Sequence, residues 1–216
     1  MSLTLYFHPL SSFCHKALIA LYENDTPFTP HSVNLQDDKE RADFRKLWPG
    51  GKFPVLRDDA RNRTVPESSA IVEYLGLYYP GKSVLIPADA KAAWPVRLMD
   101  RSIDVNLHIH MQKIIGDRMR PDGQHDPHGV EDATWRIAAM CGVLEQEIAG
   151  KKWLMGEDFT LADCAAGPPL FYLDFAVKPL ADSYPNLAAY LGRLKQRPSY
   201  ARALKEAEPF LKFVPR

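Results

Sequence analysis

The chain lacks a net charge. Its 216 residues include 27 Lys and Arg and 27 Asp and Glu, so the formal charge at pH 7 is zero when the histidines are neutral. Proteins that attract nucleic acids or anionic membranes through their electrostatic field carry an excess of basic residues. The composition therefore argues against a general polyanion-binding protein, and we expect neither a nucleic-acid partner nor a membrane partner.

The chain also has few cysteines and no long apolar run. Its three cysteines, Cys14, Cys141 and Cys164, form an odd set without a close pair, which argues against a disulfide framework and for a reducing compartment. No apolar stretch approaches the ~20 residues that span a bilayer, and the N-terminus lacks the basic-then-apolar order of a secretion signal. We therefore expect a cytoplasmic protein.

The most informative segment covers residues 8–21, HPLSSFCHKALIAL. An extended run changes there into an apolar helix, with Ser11 and Cys14 three residues apart at the change. Helix starts carry unpaired backbone N–H groups and a partial positive charge, which stabilise a thiolate. The pattern is that of a Cys-x-x-Cys redox motif with serine in place of its first cysteine. Because a hydroxyl donates a hydrogen bond but forms no disulfide, the segment predicts a site for a small external thiol.

Periodicity and turn residues divide the chain into two parts. Residues 3–78 predict a compact α/β layer, and only helical patterns follow a linker that begins at Tyr79. We expect an α/β domain at 1–80 and an all-helical domain at 88–216. The predicted elements are strands at 3–8, 29–35, 53–57 and 63–65, and helices at 12–23, 38–47, 67–78, 89–119, 130–149, 161–177, 187–196 and 199–206.

Two local signals concern the helix predicted at 161–177. Thr160 and Asp163 are spaced so that each side chain accepts from the other residue's free backbone N–H, which is typical of a helix start. Pro168 and Pro169 lie inside the same helix, and neither has the N–H that a helix requires. We therefore expect the helix to kink or break there.

Four motifs together resemble the cytosolic glutathione transferase family, and the resemblance covers nearly the whole chain. They are SSFC at the first helix start, GGKFPVL, PESSAIVEYL, and FTLAD in the helical part. The first is especially similar to the serine-type, bacterial-like branches. The resemblance implies a thioredoxin-like first domain, an all-α second domain, and an enzyme that uses glutathione as co-substrate in the cytoplasm.

The resemblance makes Ser11 the catalytic residue, whose hydroxyl contacts the glutathione sulfur. A charge-assisted hydrogen bond and the helix terminus together supply about 2–4 kcal/mol, enough to bring a thiol pKa of about 8.5–9 close to neutral. Ser12 and Tyr6 remain alternative sulfur partners. Cys14 remains an alternative nucleophile for thiol–disulfide exchange or peroxide reduction, although a lone cysteine is more often a small buried apolar residue.

The resemblance also implies which residues bind the peptide part of glutathione. Phe53 precedes Pro54 at an expected cis peptide bond, and its backbone would pair with the cysteinyl part like an added strand. Ser68, at a helix start, would bind the γ-glutamyl carboxylate, and Glu67 would pair with the ammonium group.

Two lysines are candidates for the carboxylates of glutathione. Lys52 directly precedes the Phe53-Pro54 pair, with a solvated surface lysine as the alternative. In the second helix the family often holds the glycine carboxylate with a basic residue, for which Lys39 is the nearest candidate and Arg41 a substitute. These assignments come from the resemblance.

The second substrate should lie between the two domains, against the helix at 89–119. One face of that helix carries the expected pocket wall: His108, Met111, Gln112 and Ile115. Packing in the core or at a dimer interface is the alternative for each of them. We expect no metal, because the His125 and His128 loop offers no fourth ligand.

Three functions follow from these observations. The first is conjugation of the glutathione thiolate to small apolar electrophiles, as in detoxification, by a homodimer of the kind the family forms. The second is a glutathione-dependent thiol–disulfide oxidoreductase or peroxidase that uses Cys14. The third is a non-catalytic binding module that retains the transferase fold.

Overall fold

A single mixed sheet forms the first part of the molecule. The computed structural model describes residues 2–215; Met1 and Arg216, the outer limits of the two expected domains, lie outside the described residues. The strands pair in the order β2-β1-β3-β4, with β1 parallel to β2 and antiparallel to β3. They are β1 (Leu3–Phe7), β2 (Thr29–Ser32), β3 (Val55–Asp58) and β4 (Arg63–Pro66).

Helices make up the rest of the fold. Three belong to the sheet layer: α1 (Ser12–Glu23), α2 (Asp38–Leu47) and α3 (Ser68–Tyr78). The remainder are α4 (Ala90–Ile103), α5 (Ile109–Arg118), α6 (Pro127–Glu147), α7 (Leu161–Tyr172), α8 (Pro185–Gln196) and α9 (Pro198–Ala207). Within residues 2–215, the only strand-like pairing after β4 is an isolated bridge between Trp153 and Gly156. This confirms the predicted α/β layer followed by an all-α part. In the same range no helix is both long and apolar enough to cross a bilayer.

Three shorter helical turns complete the second part. A π-helical turn, Asp104–His108, joins α4 to α5, so the helix expected at 89–119 is continuous but not regular. A second π turn, Leu173–Val177, follows α7. The 3₁₀ turn Glu208–Phe213 was not predicted, because so short an element has no apolar periodicity.

The prolines inside α7 do not break it. The helix runs through Pro168 and Pro169 to Tyr172, so of the two expected outcomes the break is wrong and the kink stays a prediction. Each proline removes one backbone hydrogen bond. Every residue of α7 is buried, and packing on all sides of the helix outweighs that loss because tertiary burial overrides local propensity.

Helix α1 lies at the centre of the molecule. Ten of its twelve residues are buried, and it packs against α3 on one side and against α7 and α9 on the other. Lys16, whose side chain is fully buried, forms ion pairs with Asp100 and Asp104 and donates to Ser69 Oγ at 2.7 Å. Because a buried lysine is stable only when it is paired, these contacts fix α1 against α4.

The start of α7 contains the predicted capping box. Asp163 Oδ2 accepts from the Thr160 N–H at 2.8 Å, and the Thr160 side chain accepts in return from the Asp163 backbone. The other carboxylate oxygen accepts from the Leu154 N–H at 3.0 Å and from the Tyr190 hydroxyl at 2.6 Å. One buried carboxylate thus ties the 151–160 loop to α7 and α8.

We predict that Asp163→Ala lowers the free energy of unfolding by about 3 kcal/mol or more. The variant leaves the Leu154 N–H, the Thr160 N–H and the Tyr190 hydroxyl buried without this acceptor, at roughly 1–3 kcal/mol for each unpaired group. Urea unfolding followed by tryptophan fluorescence measures the change. Asp163→Asn keeps one acceptor oxygen and should lose less; equal midpoints for wild type and D163A would contradict the prediction.

Candidate active site

A cavity of about 860 Å³ lies between the start of α1 and the helices that follow the linker. Ser11 and Phe53 border it on the sheet side, and Met111 borders it on the α5 side. The C-terminal turn contributes Phe210 and Phe213. A second cavity, of about 820 Å³, lies beside the linker and includes none of the predicted site residues.

The structure brings half of the predicted site residues to this cavity. Those that line it are Ser11, Phe53, Met111, Gln112 and Ile115. Those that are absent from its lining are Lys39, Lys52, Glu67, Ser68 and His108. Among residues 2–215 no group of three or more His, Cys, Asp or Glu side chains is placed to hold a metal ion.

Ser11 caps α1. Its backbone is extended (φ −74°, ψ 115°), its carbonyl accepts from the Cys14 and His15 N–H groups, and its Oγ is 3.4 Å from the Cys14 nitrogen. The Ser11 hydroxyl interacts with the Cys14 thiol of its own helix, whereas the Ser12 and Phe13 amides have no hydrogen-bond partner within residues 2–215. The helix start therefore offers one O–H and two N–H donors to an anion.

Ser12 faces the helices of the second part. Its Oγ lies 2.6 Å from His108 Nε2 and accepts from Gln112 Nε2 at 3.2 Å. The residue borders the cavity although it is only 3% exposed. The two neighbouring hydroxyls thus differ, because that of Ser12 has partners on α5 and its preceding turn whereas that of Ser11 contacts only Cys14 of its own helix.

His108 lies behind the cavity and not on its wall. The ring is fully buried and stacks on Phe13, with centroids 3.7 Å apart and planes 18° from parallel. Helical spacing correctly brings His108 and Gln112 to one face, since both contact Ser12. Ser12, which borders the cavity and contacts His108 Nε2, stands between this ring and the cavity. Burial lowers the pKa of His108 in spite of the nearby Asp104 carboxylate.

The alternative sulfur partners are less well placed than Ser11. Cys14 is fully buried, and burial raises the pKa of its thiol to about 12, against the opposing hydrogen bond with Ser11. The Tyr6 ring packs against His31, at 4.6 Å between centroids, and against Phe44, and it does not line the cavity.

Backbone geometry is unusual at two of the predicted glutathione contacts. The Phe53-Pro54 bond is cis, as predicted. Glu67 has φ 67° and ψ 122°, a left-handed conformation that strains a residue with a Cβ atom. The next residue, Ser68, is buried and begins α3, so the strained residue immediately precedes a helix start.

The predicted basic residues lie at the surface. Lys39 donates to Asp43 at 2.8 Å, and its side chain is 88% exposed. Arg41 bonds to the Leu35 carbonyl and to Asp38. Lys52 is exposed and has no ion pair within residues 2–215. Of these three cations, Lys52 is therefore the one with no internal anionic partner.

His8, directly after β1, belongs to the site but was not predicted from the sequence. Its ring lines the cavity, stacks on Phe53 at 6.0 Å and meets the edge of Phe210. Nδ1 accepts from the Leu10 N–H at 3.2 Å, and burial lowers the pKa of the ring. In the neutral ring this leaves Nε2 as a donor. The available signal was a polar His-Pro pair directly after an alternating strand.

Comparison with protein families agrees with this geometry. Residues 5–83 match the profile described as glutathione S-transferase, N-terminal domain, and residues 127–193 match that of the C-terminal domain. The glutathione S-transferase GstB of Escherichia coli is 28% identical over 206 residues, covering 94% of this chain and 97% of its own. A glutathione S-transferase-like protein of Beauveria bassiana is 30% identical over 210 residues, covering 90% and 91%.

Solved structures give the same result. A glutathione S-transferase of Methylobacillus flagellatus, solved with glutathione bound, has a TM-score of 0.85 at 27% identity, covering 94% of this chain and 98% of that one. Poplar glutathione transferase F1 shares the fold at 21% identity, with a TM-score of 0.84 and coverage of 97% and 99%. Because both halves of the chain match this family, the protein belongs to the glutathione S-transferase family.

Proposed function

We propose that the protein conjugates the thiolate of glutathione to small apolar electrophiles. The observation that carries this proposal is the Ser11 hydroxyl, which stands at the start of α1 on the wall of a large cavity. Family membership supports glutathione as the thiol. The hydroxyl donates to the sulfur, and the positive end of α1 stabilises its charge.

The donors at the start of α1 supply enough free energy to bring the pKa of a bound thiol close to neutral. A hydrogen bond to a charged acceptor contributes about 1.5–3 kcal/mol, and a helix terminus adds about 0.3–1 kcal/mol. Since one pKa unit corresponds to about 1.36 kcal/mol, a bound thiol ionises near neutral pH. The thiolate then attacks the electrophilic carbon, a sulfur–carbon bond forms, and the leaving group departs with its electron pair.

The proposal assigns the rest of glutathione to polar groups of the sheet layer. The Phe53 backbone pairs with the cysteinyl part, and the start of α3 at Ser68 holds the γ-glutamyl carboxylate while Glu67 pairs with the ammonium group. The strained backbone of Glu67 supports this, because strain of this kind is concentrated at binding sites. Lys52 and Lys39 meet carboxylates, Lys39 less strongly because Asp43 competes for it.

The second substrate occupies the part of the cavity beyond the sulfur. Its walls are largely apolar, with Met111, Ile115, Met119 and Phe213 among them. Methionine side chains adapt their shape to different partners, which supports small apolar electrophiles of varied outline. Gln112 is the polar residue of this wall on α5.

We also propose that the enzyme is a homodimer of the cytoplasm. Exposed apolar residues on the outer faces of α3 and α4, Leu77 at 74% and Trp94 at 64%, would be covered in a homodimer. Three buried free thiols suit a reducing cytoplasm, where conjugation of electrophiles serves detoxification. We also propose domain limits at 1–80 and 88–216, on either side of the linker.

The two alternative functions have less support. Exchange chemistry through Cys14 needs an accessible thiolate, whereas this thiol is fully buried and its pKa is raised to about 12. A non-catalytic module does not account for a hydroxyl that stands beside unpaired amide donors at a helix start on the wall of a cavity.

We predict that Ser11→Ala raises the pKa of the bound glutathione thiol by about 1–2 units, because it removes a charge-assisted hydrogen bond. The ultraviolet absorbance of the thiolate, titrated against pH, measures the shift. The value of kcat/KM for a chlorodinitrobenzene should fall about 10–100-fold at neutral pH. Ser11→Thr keeps the hydroxyl and serves as the control; an S11A variant with the wild-type thiol pKa would refute the role of Ser11.

We predict that the native protein has no rapidly reacting thiol. Burial raises the pKa of Cys14 and of Cys141 to about 12 and raises that of Cys164 well above its usual value, so iodoacetamide at neutral pH should label none of them until the protein is unfolded. Mass spectrometry of native and urea-unfolded samples measures the labelling. Cys14→Ala should retain conjugating activity, and prompt alkylation of native Cys14 would instead support exchange chemistry.

A further inference from the structure

A chain of three side chains leads from the cavity into the interior beside the start of α1. Ser12 Oγ is 2.6 Å from His108 Nε2, and Nδ1 of the same ring faces Asp104 Oδ1 at 3.6 Å. Ser12 borders the cavity, and His108 is fully buried. The order is therefore hydroxyl, imidazole and carboxylate, with the hydroxyl next to Ser11.

Two atoms of this chain are unsatisfied. His108 Nδ1 and Asp104 Oδ1 are both buried, and neither has a hydrogen-bond partner within residues 2–215. Their separation of 3.6 Å is too long for a hydrogen bond. An imidazolium and a carboxylate at that distance attract each other strongly in a buried site. The imidazolium formed when His108 gains a second proton, at Nε2, would therefore be stabilised by the Asp104 carboxylate.

The Asp104 carboxylate favours an added proton on His108, whereas burial and the Lys16 ammonium oppose it. Lys16 is paired with both Asp100 and Asp104, so with both carboxylates ionised the buried cluster has one negative charge in excess. Burial raises the pKa of Asp100, whereas the pKa of Asp104 is lowered by its His108 and Lys16 contacts against the effect of burial. His15, also near the ring, is kept neutral because burial lowers its pKa to about 4.

We propose that His108 receives the proton that the glutathione thiol loses, by way of the Ser12 hydroxyl. The S–H bond breaks as its proton passes to Ser12 Oγ, while the proton already on Ser12 passes to His108 Nε2. The products are a thiolate in the cavity and an imidazolium that faces Asp104. No proton leaves the protein, and no oxidant or reductant is consumed.

This assignment separates the roles of two adjacent serines. Ser11 donates to the finished thiolate, and Ser12 conducts the proton. The Asp104 carboxylate favours the tautomer with hydrogen on Nδ1, which leaves Nε2 free to accept from Ser12. His108 does not touch the substrate and acts through Ser12. The inference rests on the proposed function, since it names the acceptor for the thiol proton of that same site.

Proton counting on the full-length protein tests the proposal. Calorimetry of glutathione binding in two buffers of different ionisation enthalpy gives the protons released, and thiolate absorbance gives the thiolate formed. We expect the wild type to release almost no protons per thiolate and His108→Gln to release about one, because glutamine keeps a hydrogen-bonding group but takes up no proton. His110→Gln, the same substitution on α5, is the matched control and should behave as the wild type.

A second variant tests the path. Ser12→Ala keeps the acceptor but removes the connecting hydroxyl, so thiolate formation followed by stopped flow should slow by about 10²-fold while the proton ratio stays low. Release of one proton per thiolate by the wild type would overturn the proposed proton transfer to His108. Because this ratio is measured on the wild type, it tests the proposal even if H108Q does not fold. Failure of the wild type to bind glutathione or to ionise it would instead overturn the proposed function.

Discussion

The ion pairs of Lys16 hold the start of α1 against the helices beyond the linker, and the site depends on this constraint. A fully buried lysine must be paired, and its partners, Asp100 and Asp104, lie on α4 and on the turn that follows it. Ser11 and Ser12 precede Lys16 by about one helical turn, so their position relative to α5 is set by the same contacts. The cavity therefore has one wall from each part of the chain.

Two adjacent hydroxyls acquire different chemistry from this arrangement. Ser11 caps the helix and lines the cavity, whereas Ser12 turns toward His108 and Gln112. A helix start with spare amide donors favours an anion in the cavity. Cys14, one turn further, packs in the core, where its neutral thiol behaves as an apolar group. The reactive sulfur in this account belongs to the ligand.

Features that depend on neighbours in sequence could be predicted, and those that depend on distant contacts could not. The apolar spacing and the cap predicted α1 with its observed bounds, and the capping box at Thr160 was found where its spacing indicated. The burial of His108 could not be predicted, because it depends on the Phe13 ring of another helix. The continuity of α7 through its prolines depends likewise on packing from all sides, and the cavity wall at Phe213 belongs to a turn without periodicity.

The central claim is that the start of α1 holds an external thiolate through the hydroxyl of Ser11. A crystal structure of the protein with glutathione bound tests this claim most directly. The account predicts that the glutathione sulfur lies within about 3.5 Å of Ser11 Oγ, beside the Ser12 and Phe13 amides. A sulfur in contact with Tyr6 or with Cys14 instead, or out of reach of the start of α1, would contradict it.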